Sequence, residues 1–267
     1  IHTKKGDYIK AKNLLERSLQ IYKQQFPTDH LETAWALYHF ADVHAGLGQY
    51  QEAKNLYEQS LLIHKKSLPE VHRRVAGVLA KLGNIYTDLG DYKNARDLLE
   101  QSFTIYKKIF SEDHFRVIRN LKYLGRAYRG LGDYKTAKYY FERCLLFYKN
   151  QNGENHLNIA WILIELGKIY LLESQLENAE NIFRQALSIT KKNKHPGVYK
   201  CFESLSEVYL KKAKHAKDFQ NSQAFNKQAI EYLRHALEIV EISFPKDSPF
   251  KIRIQEKLQA FEKKYKF

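Results

Sequence analysis

The sequence repeats itself every 42 residues, and no other property narrows its possible folds as much. The string Leu-Gly-Asp-Tyr-Lys occurs at 89–93 and again at 131–135. The same frame holds Gly6-Asp7-Tyr8, Gly48-Gln49-Tyr50 and a degraded copy at Ser174-Gln175-Leu176. A small residue follows each copy, at Ala11, Ala53, Ala95, Ala137 and Ala179, and a second small series falls at Ser18, Ser60, Ser102, Cys144 and Ala186. Upstream stands Leu-Gly-x-x-Tyr, at Leu82 to Tyr86, Leu124 to Tyr128 and Leu166 to Tyr170. A unit of this length cannot bury its apolar face alone, so successive units must stack.

Inside each repeat the apolar residues recur at helical spacing. Leu79, Leu82, Ile85 and Tyr86 form one stripe, and Ala95, Leu98, Leu99, Ser102 and Ile105 form another. Gly90-Asp91 between them is a helix stop and turn. Pro27, Ser111-Glu112-Asp113 and Gly153 mark the breaks between repeats. No segment alternates with period two, so the chain is expected to be all-α, each repeat a pair of antiparallel helices of about 15 to 20 residues. Gly83, Gly125 and Gly167 fall mid-helix, where glycine costs about 1 kcal/mol relative to alanine, so their recurrence predicts close helix–helix approach.

The formal charge of +14 raises the possibility of an anionic partner. Two cysteines, Cys144 and Cys201, are too few for a disulfide framework or a cysteine-based metal site. Cys144 shares the small-residue slot and is read as packing, whereas Cys201, early in a helix, is expected near the surface. No stretch approaches the roughly 18 apolar residues of a membrane span. His30, His72, His114, His156 and His195 recur in frame and are read as helix caps rather than metal ligands. There is no phosphate-cradling glycine motif, no H-E-x-x-H, no G-x-S-x-G and no C-x-x-C, so neither an enzyme, a cofactor nor a metal is expected. The chain starts Ile1-His2-Thr3 and contains no methionine, and is expected to be a fragment of a longer protein.

Leu79, Leu82, Gly83, Tyr86, Gly90, Tyr92, Ala95, Leu99 and Ser102 fit the consensus of the tetratricopeptide repeat, which the sequence resembles from Gly6 to about Ser243. The usual repeat is about 34 residues. The longer period, with Asp113-His114 and Val117 or Val71-His72 and Val75-Ala76 at the entry, is similar to the kinesin-light-chain type and to bacterial multi-repeat scaffold or effector proteins. The groove asparagine of kinesin light chains is absent; His39, Lys81, Tyr123, Glu165 and Ser204 stand there, so the same cargo motif is not carried over. The resemblance implies a right-handed superhelical solenoid of about 12 helices. The expected single domain comprises a half repeat at 6–26 and repeats at 29–67, 71–110, 113–150, 154–192 and 196–243. An insertion is expected near 211–224 and a capping helix at 247–267. It also implies a non-enzymatic protein-interaction scaffold in the cytoplasm, or in the host cytosol for a secreted bacterial effector.

In this family the first helices line the concave groove. In frame, the groove residues are Trp35, Tyr38, His39, Lys81, Asn84, Arg119, Lys122, Tyr123, Arg126, Arg129, Trp161, Glu165 and Lys168, with Asp42 and Asp88 on the same faces. Arg119, Lys122, Arg126 and Arg129 share one helical face, and no acidic residue lies between Asp113 and Asp133. Arginine forks bidentately onto carboxylates and phosphates. The expected partner is therefore an acidic peptide, a terminal carboxylate or a phosphorylated segment. The alternative is nucleic acid held by the basic surface, although no base-reading pair recurs in frame. The lysine-rich stretch 191–217 is read as a solvated helix extension and loop, with an anionic contact as its alternative.

Overall fold

The computed structural model describes residues 29–265, together with 13–14, 16–17, 20–21 and 24–25. The half repeat expected at 6–26 lies largely outside the described residues. Among the described residues all regular structure is helical, and no helix is long and apolar enough to cross a membrane. Two compact units divide the chain, one ending at Phe147 and the other running from Tyr148.

The first unit holds α1 (Leu31–Gly46), α2 (Tyr50–Ser67), α3 (Arg73–Asp88), α4 (Tyr92–Ile109), α5 (Phe115–Gly130) and the larger part of α6 (Tyr134–Asn152). Odd-numbered helices are the first helices of their repeats. Each starts on a histidine: the Nδ1 of His30, His72 and His114 accepts from the backbone N–H of Glu32, Arg74 and Arg116 at 3.2, 3.1 and 3.2 Å. This is side-chain N-capping, as the recurrence in frame predicts. Each ends on a leucine followed by Gly48, Gly90 or Gly132, at φ 81°, 86° and 86°. That left-handed backbone turns the chain back at once and makes the pair antiparallel.

The mid-helix glycines are where the partner helix comes closest. A Cβ at Gly83 would stand 2.7 Å from Leu99 Cγ, and one at Gly125 2.7 Å from Phe141 Cε1. The small-residue slot does more than admit a neighbour. Ser60 Oγ donates to Ala34 O and Ser102 Oγ to Ala76 O, both at 2.7 Å, and the Cys144 thiol donates to Ile118 O at 3.2 Å. Successive repeats are tied by tyrosine hydroxyls donating to glutamates one repeat earlier: Tyr86 to Glu58 at 2.9 Å and Tyr128 to Glu100 at 2.7 Å.

The second unit continues with α7 (Leu157–Leu172), α8 (Leu176–Lys192), a 3-10 turn at Pro196–Val198, α9 (Tyr199–His215), α10 (Phe219–Ser243) and α11 (Pro249–Tyr265). His156 and His195 cap as their counterparts do, accepting from the N–H of Asn158 and Gly197 at 3.3 and 2.9 Å. The residues of the expected insertion lengthen α9 and α10, and α10 reaches 25 residues. The chain end is held by Arg253 on Glu203 at 2.7 Å, Arg234 on Glu262 at 2.8 Å, and the ring cluster of Tyr199, Phe244 and Phe250.

One expectation changes here. Cys201 is not near the surface: its side chain is fully buried beside Thr190, and burial pushes its thiol up to about 11. The lysines of 191–217 are spread over the end of α8, α9 and the residues that follow it. Lys191, Lys192 and Lys194 sit before α9, Lys214 in its last turn and Lys217 after it, so the two groups are separated by most of a helix about 25 Å long. Between them, Lys211 donates to Leu171 O at 2.8 Å, and Lys212 pairs with Glu177 and Glu180 at 2.7 and 2.6 Å.

Candidate functional site

Packing decides which face of each first helix remains for a partner. Gly83 and Gly125 turn one side of α3 and α5 onto the second helices, and Leu79, Leu121 and Leu124 bury the flanks. Trp35, Tyr38, His39 and Asp42 on α1, Lys81, Asn84 and Asp88 on α3, and Arg119, Lys122, Tyr123 and Arg126 on α5 escape full burial.

On α1 the aromatic residues form a compact platform. Trp35 and Tyr38 stack with centroids 5.3 Å apart and planes at 3°, and His39 meets both rings edge-on at 4.4 and 5.3 Å. Trp35 remains 40% exposed, with the Arg74 guanidinium 5.4 Å from its ring. Burial raises the Tyr38 hydroxyl to about 12 and lowers the His39 pKa, so both are neutral at neutral pH.

Next to the platform lies a polar cluster contributed by all three first helices. Asp42 Oδ1 accepts from Lys81 Nζ at 2.6 Å and from the Tyr57 hydroxyl, which reaches across from α2. Burial works against the Lys81 ammonium, but Tyr123, Asp42 and Tyr38 outweigh it and hold its pKa above the ordinary value. Arg119 behaves alike: burial disfavours its charge, and the hydroxyls of Tyr123, Tyr106 and Tyr38 more than compensate. Burial would raise the Tyr123 hydroxyl, yet Lys81, Lys122 and Arg119 together pull it down. Lys122 Nζ lies 5.3 Å from the centre of the Tyr123 ring. No carboxylate among the described residues pairs with Arg119 or Lys122.

The fourth cation of the row is placed differently. Arg126 donates to Asn84 Oδ1 through Nη1 and to Asp88 Oδ1 through Nη2, the latter at 2.6 Å. Asn84 also donates to Asp88 Oδ2 at 3.3 Å, so the three form a closed set. The cationic face read along α5 alone is therefore partly compensated from α3, one repeat earlier. Arg129 stands in the last turn of α5.

Trp161, Glu165 and Lys168 belong to the second unit and take the same frame places on α7. Trp161 packs on Gly197, where a Cβ would lie 2.3 Å from its Cη2, and edge-on against His195 at 5.1 Å. Lys200 Nζ stands 5.8 Å from its ring. Lys168 pairs with the buried Glu165 at 3.1 Å. This surface is more filled than its counterpart in the first unit. Among the described residues no three His, Cys, Asp or Glu side chains gather as a metal would require.

Reading in frame missed Tyr57, Tyr106 and Arg74. Tyr57 occupies the slot that Leu99, Phe141 and Phe183 fill elsewhere, so a hydroxyl in an otherwise apolar series was the available signal.

The tetratricopeptide-repeat profile matches residues 1–66, 74–150 and 131–192. The comparison with curated proteins found no significant match. Among solved structures, BtubC (BKLC) from P. vanneervenii aligns with TM-score 0.60 and 21% identity over 86% of this chain and 92% of that one. A Podosopora anserina protein described as a kinesin light chain with nearly identical TPR-like repeats aligns with TM-score 0.53 and 25% identity over 70% and 89%. A Rap protein complexed with Competence and Sporulation Factor aligns with TM-score 0.59 and 16% identity over 98% and 71%. Helix pairs in a 42-residue frame, glycine-mediated crossings and the profile matches agree: the chain belongs to the tetratricopeptide-repeat family.

Proposed function

We propose that the first unit binds an acidic segment of a protein partner along the surface formed by α1, α3 and α5, and performs no chemistry on it. One observation carries this reading. Arg119 and Lys122 stand half-buried beside Tyr123 with no carboxylate partner among the described residues. Half-buried cations without a carboxylate keep hydrogen-bond donors that an incoming anion takes up. The Trp35–Tyr38 stack supplies rigid apolar area with little rotamer entropy to lose. The family is one of protein-interaction repeats, and the similar Rap protein was solved with a bound factor. The equivalent residues Trp161, Glu165 and Lys168 are proposed as a separate contact surface of the second unit.

The test uses fluorescein-labelled hexaglutamate, hexalysine and a mixed single-stranded oligonucleotide, followed by anisotropy over a salt series. Hexaglutamate is expected to bind and to weaken with salt, and Arg119→Glu is expected to abolish that binding with helix content unchanged. Equal binding by Arg119→Glu, or tighter binding of the oligonucleotide, overturns the proposal.

A further inference from the structure

We infer that Lys81, Arg119 and Lys122 form a receptor for one phosphorylated side chain of the bound segment, which rests on the acidic-peptide reading above. The argument begins with charge. Three cations, Lys81, Arg119 and Lys122, act on Tyr123, with Lys122 Nζ 5.3 Å from its ring, and the one carboxylate beside them is Asp42, whose Oδ1 is already shared by Lys81 and Tyr57. An excess of two positive charges is matched by a phosphoryl group, which carries about −1.5 to −2 at neutral pH, and only half matched by a carboxylate. The lowered hydroxyl of Tyr123 reports the same excess from a neighbouring atom.

Donor count points the same way. Arg119 offers the N–H groups not directed at Tyr106, Lys122 three N–H bonds, Lys81 those not given to Asp42, and Tyr123 a hydroxyl. Those donors exceed what the two oxygens of a carboxylate accept and suit the three terminal oxygens of a phosphoryl group. The site is also singular. One helical turn beyond Lys122 on α5 the cation is Arg126, already satisfied by Asn84 and Asp88. A polyanion needs a track of unpaired cations, whereas on this surface the next cation is already paired with Asp88, which favours one phosphorylated residue over a nucleic-acid backbone. The Trp35–Tyr38 stack beside the cluster gives the flanking residue an apolar wall, with Arg74 above it.

The probe is a degenerate nonapeptide library fixed at its centre as phosphoserine, aspartate or serine, with hexaglutamate measured alongside. The phosphoserine library is expected to bind roughly tenfold tighter than the aspartate library, and Arg119→Gln and Lys122→Gln are each expected to erase that ratio with helix content intact. If aspartate and phosphoserine libraries bind equally, the receptor is refuted and the acidic groove stands. If neither library nor hexaglutamate binds, both readings fall. A ratio that survives both substitutions also refutes the receptor, because the phosphate is then recognised elsewhere.

Discussion

Replacing His72 and His114 by asparagine separates capping from titration. Both histidines hold a helix start by accepting a backbone N–H at Nδ1, at 3.1 and 3.2 Å. A protonated imidazole has no lone pair there, so the cap exists only in the neutral form. Burial is the leading cause that lowers the pKa of both, assisted by Arg74 and Arg73 at His72 and by Arg116 at His114. The folded state therefore resists the proton. Its stabilisation is complete above the ordinary histidine pKa of about 6.5 and is lost as pH falls through the depressed folded values. A cap is worth about 1 kcal/mol, and both side chains are half-exposed, so the pair is worth about 1–2 kcal/mol. Asparagine caps as well and does not titrate in this range. Urea unfolding followed by circular dichroism at about pH 7.5 and about pH 5 is the assay. The double variant is expected to match the parent at the higher pH and to be about 1–2 kcal/mol more stable than it at the lower. His39 and His64 are also depressed by burial, but they titrate in both proteins and cancel from the difference. Identical pH slopes for parent and variant would refute the reasoning.

Gly125→Ala places a Cβ within 2.7–3.0 Å of three ring atoms of the fully buried Phe141, so overpacking of about 1–3 kcal/mol should outweigh alanine's helix preference of about 1 kcal/mol and lower the melting temperature. Ser102→Ala removes the 2.7 Å bond to Ala76 O and the 2.7 Å bond to the fully buried Asn120 amide, and should cost about 1–3 kcal/mol by chemical denaturation, while Ala186, which fills the same slot, carries no such bonds to lose. Asp88→Asn takes the carboxylate from Arg126 and should tighten hexaglutamate binding several-fold, or leave it unchanged if that arginine lies outside the bound track.

The repeat frame made most of the architecture legible, because the same residues recur wherever the same backbone is needed. Gly90 and Gly132 announce a left-handed turn, Gly83 and Gly125 a crossing, and His72 and His114 a helix start. At the candidate site the frame tells which face a residue occupies but not what it touches across the stack. Arg126 looks uncompensated along α5, because its partners Asn84 and Asp88 lie 42 and 38 residues earlier on a separate helix. Tyr57 reaches Asp42 by exchanging an apolar ring or methyl group for a phenol within an otherwise conventional slot. Cys201 was misread because proximity to a helix start says nothing about which side of that helix packs, and its neighbour Thr190 comes from α8.

The small-residue slot has one consequence for experiment. Cys144 lies in the first unit and Cys201 in the second, both free, both fully buried, and burial raises their thiols to about 12 and about 11. A thiol reagent can reach either one only when the helices around it part. The rate at which each sulfur is labelled under native conditions is then a clock for the opening of its own unit, with no cysteine to introduce. A bound segment that bridges α1, α3 and α5 should slow the Cys144 clock and leave the Cys201 clock as the internal reference.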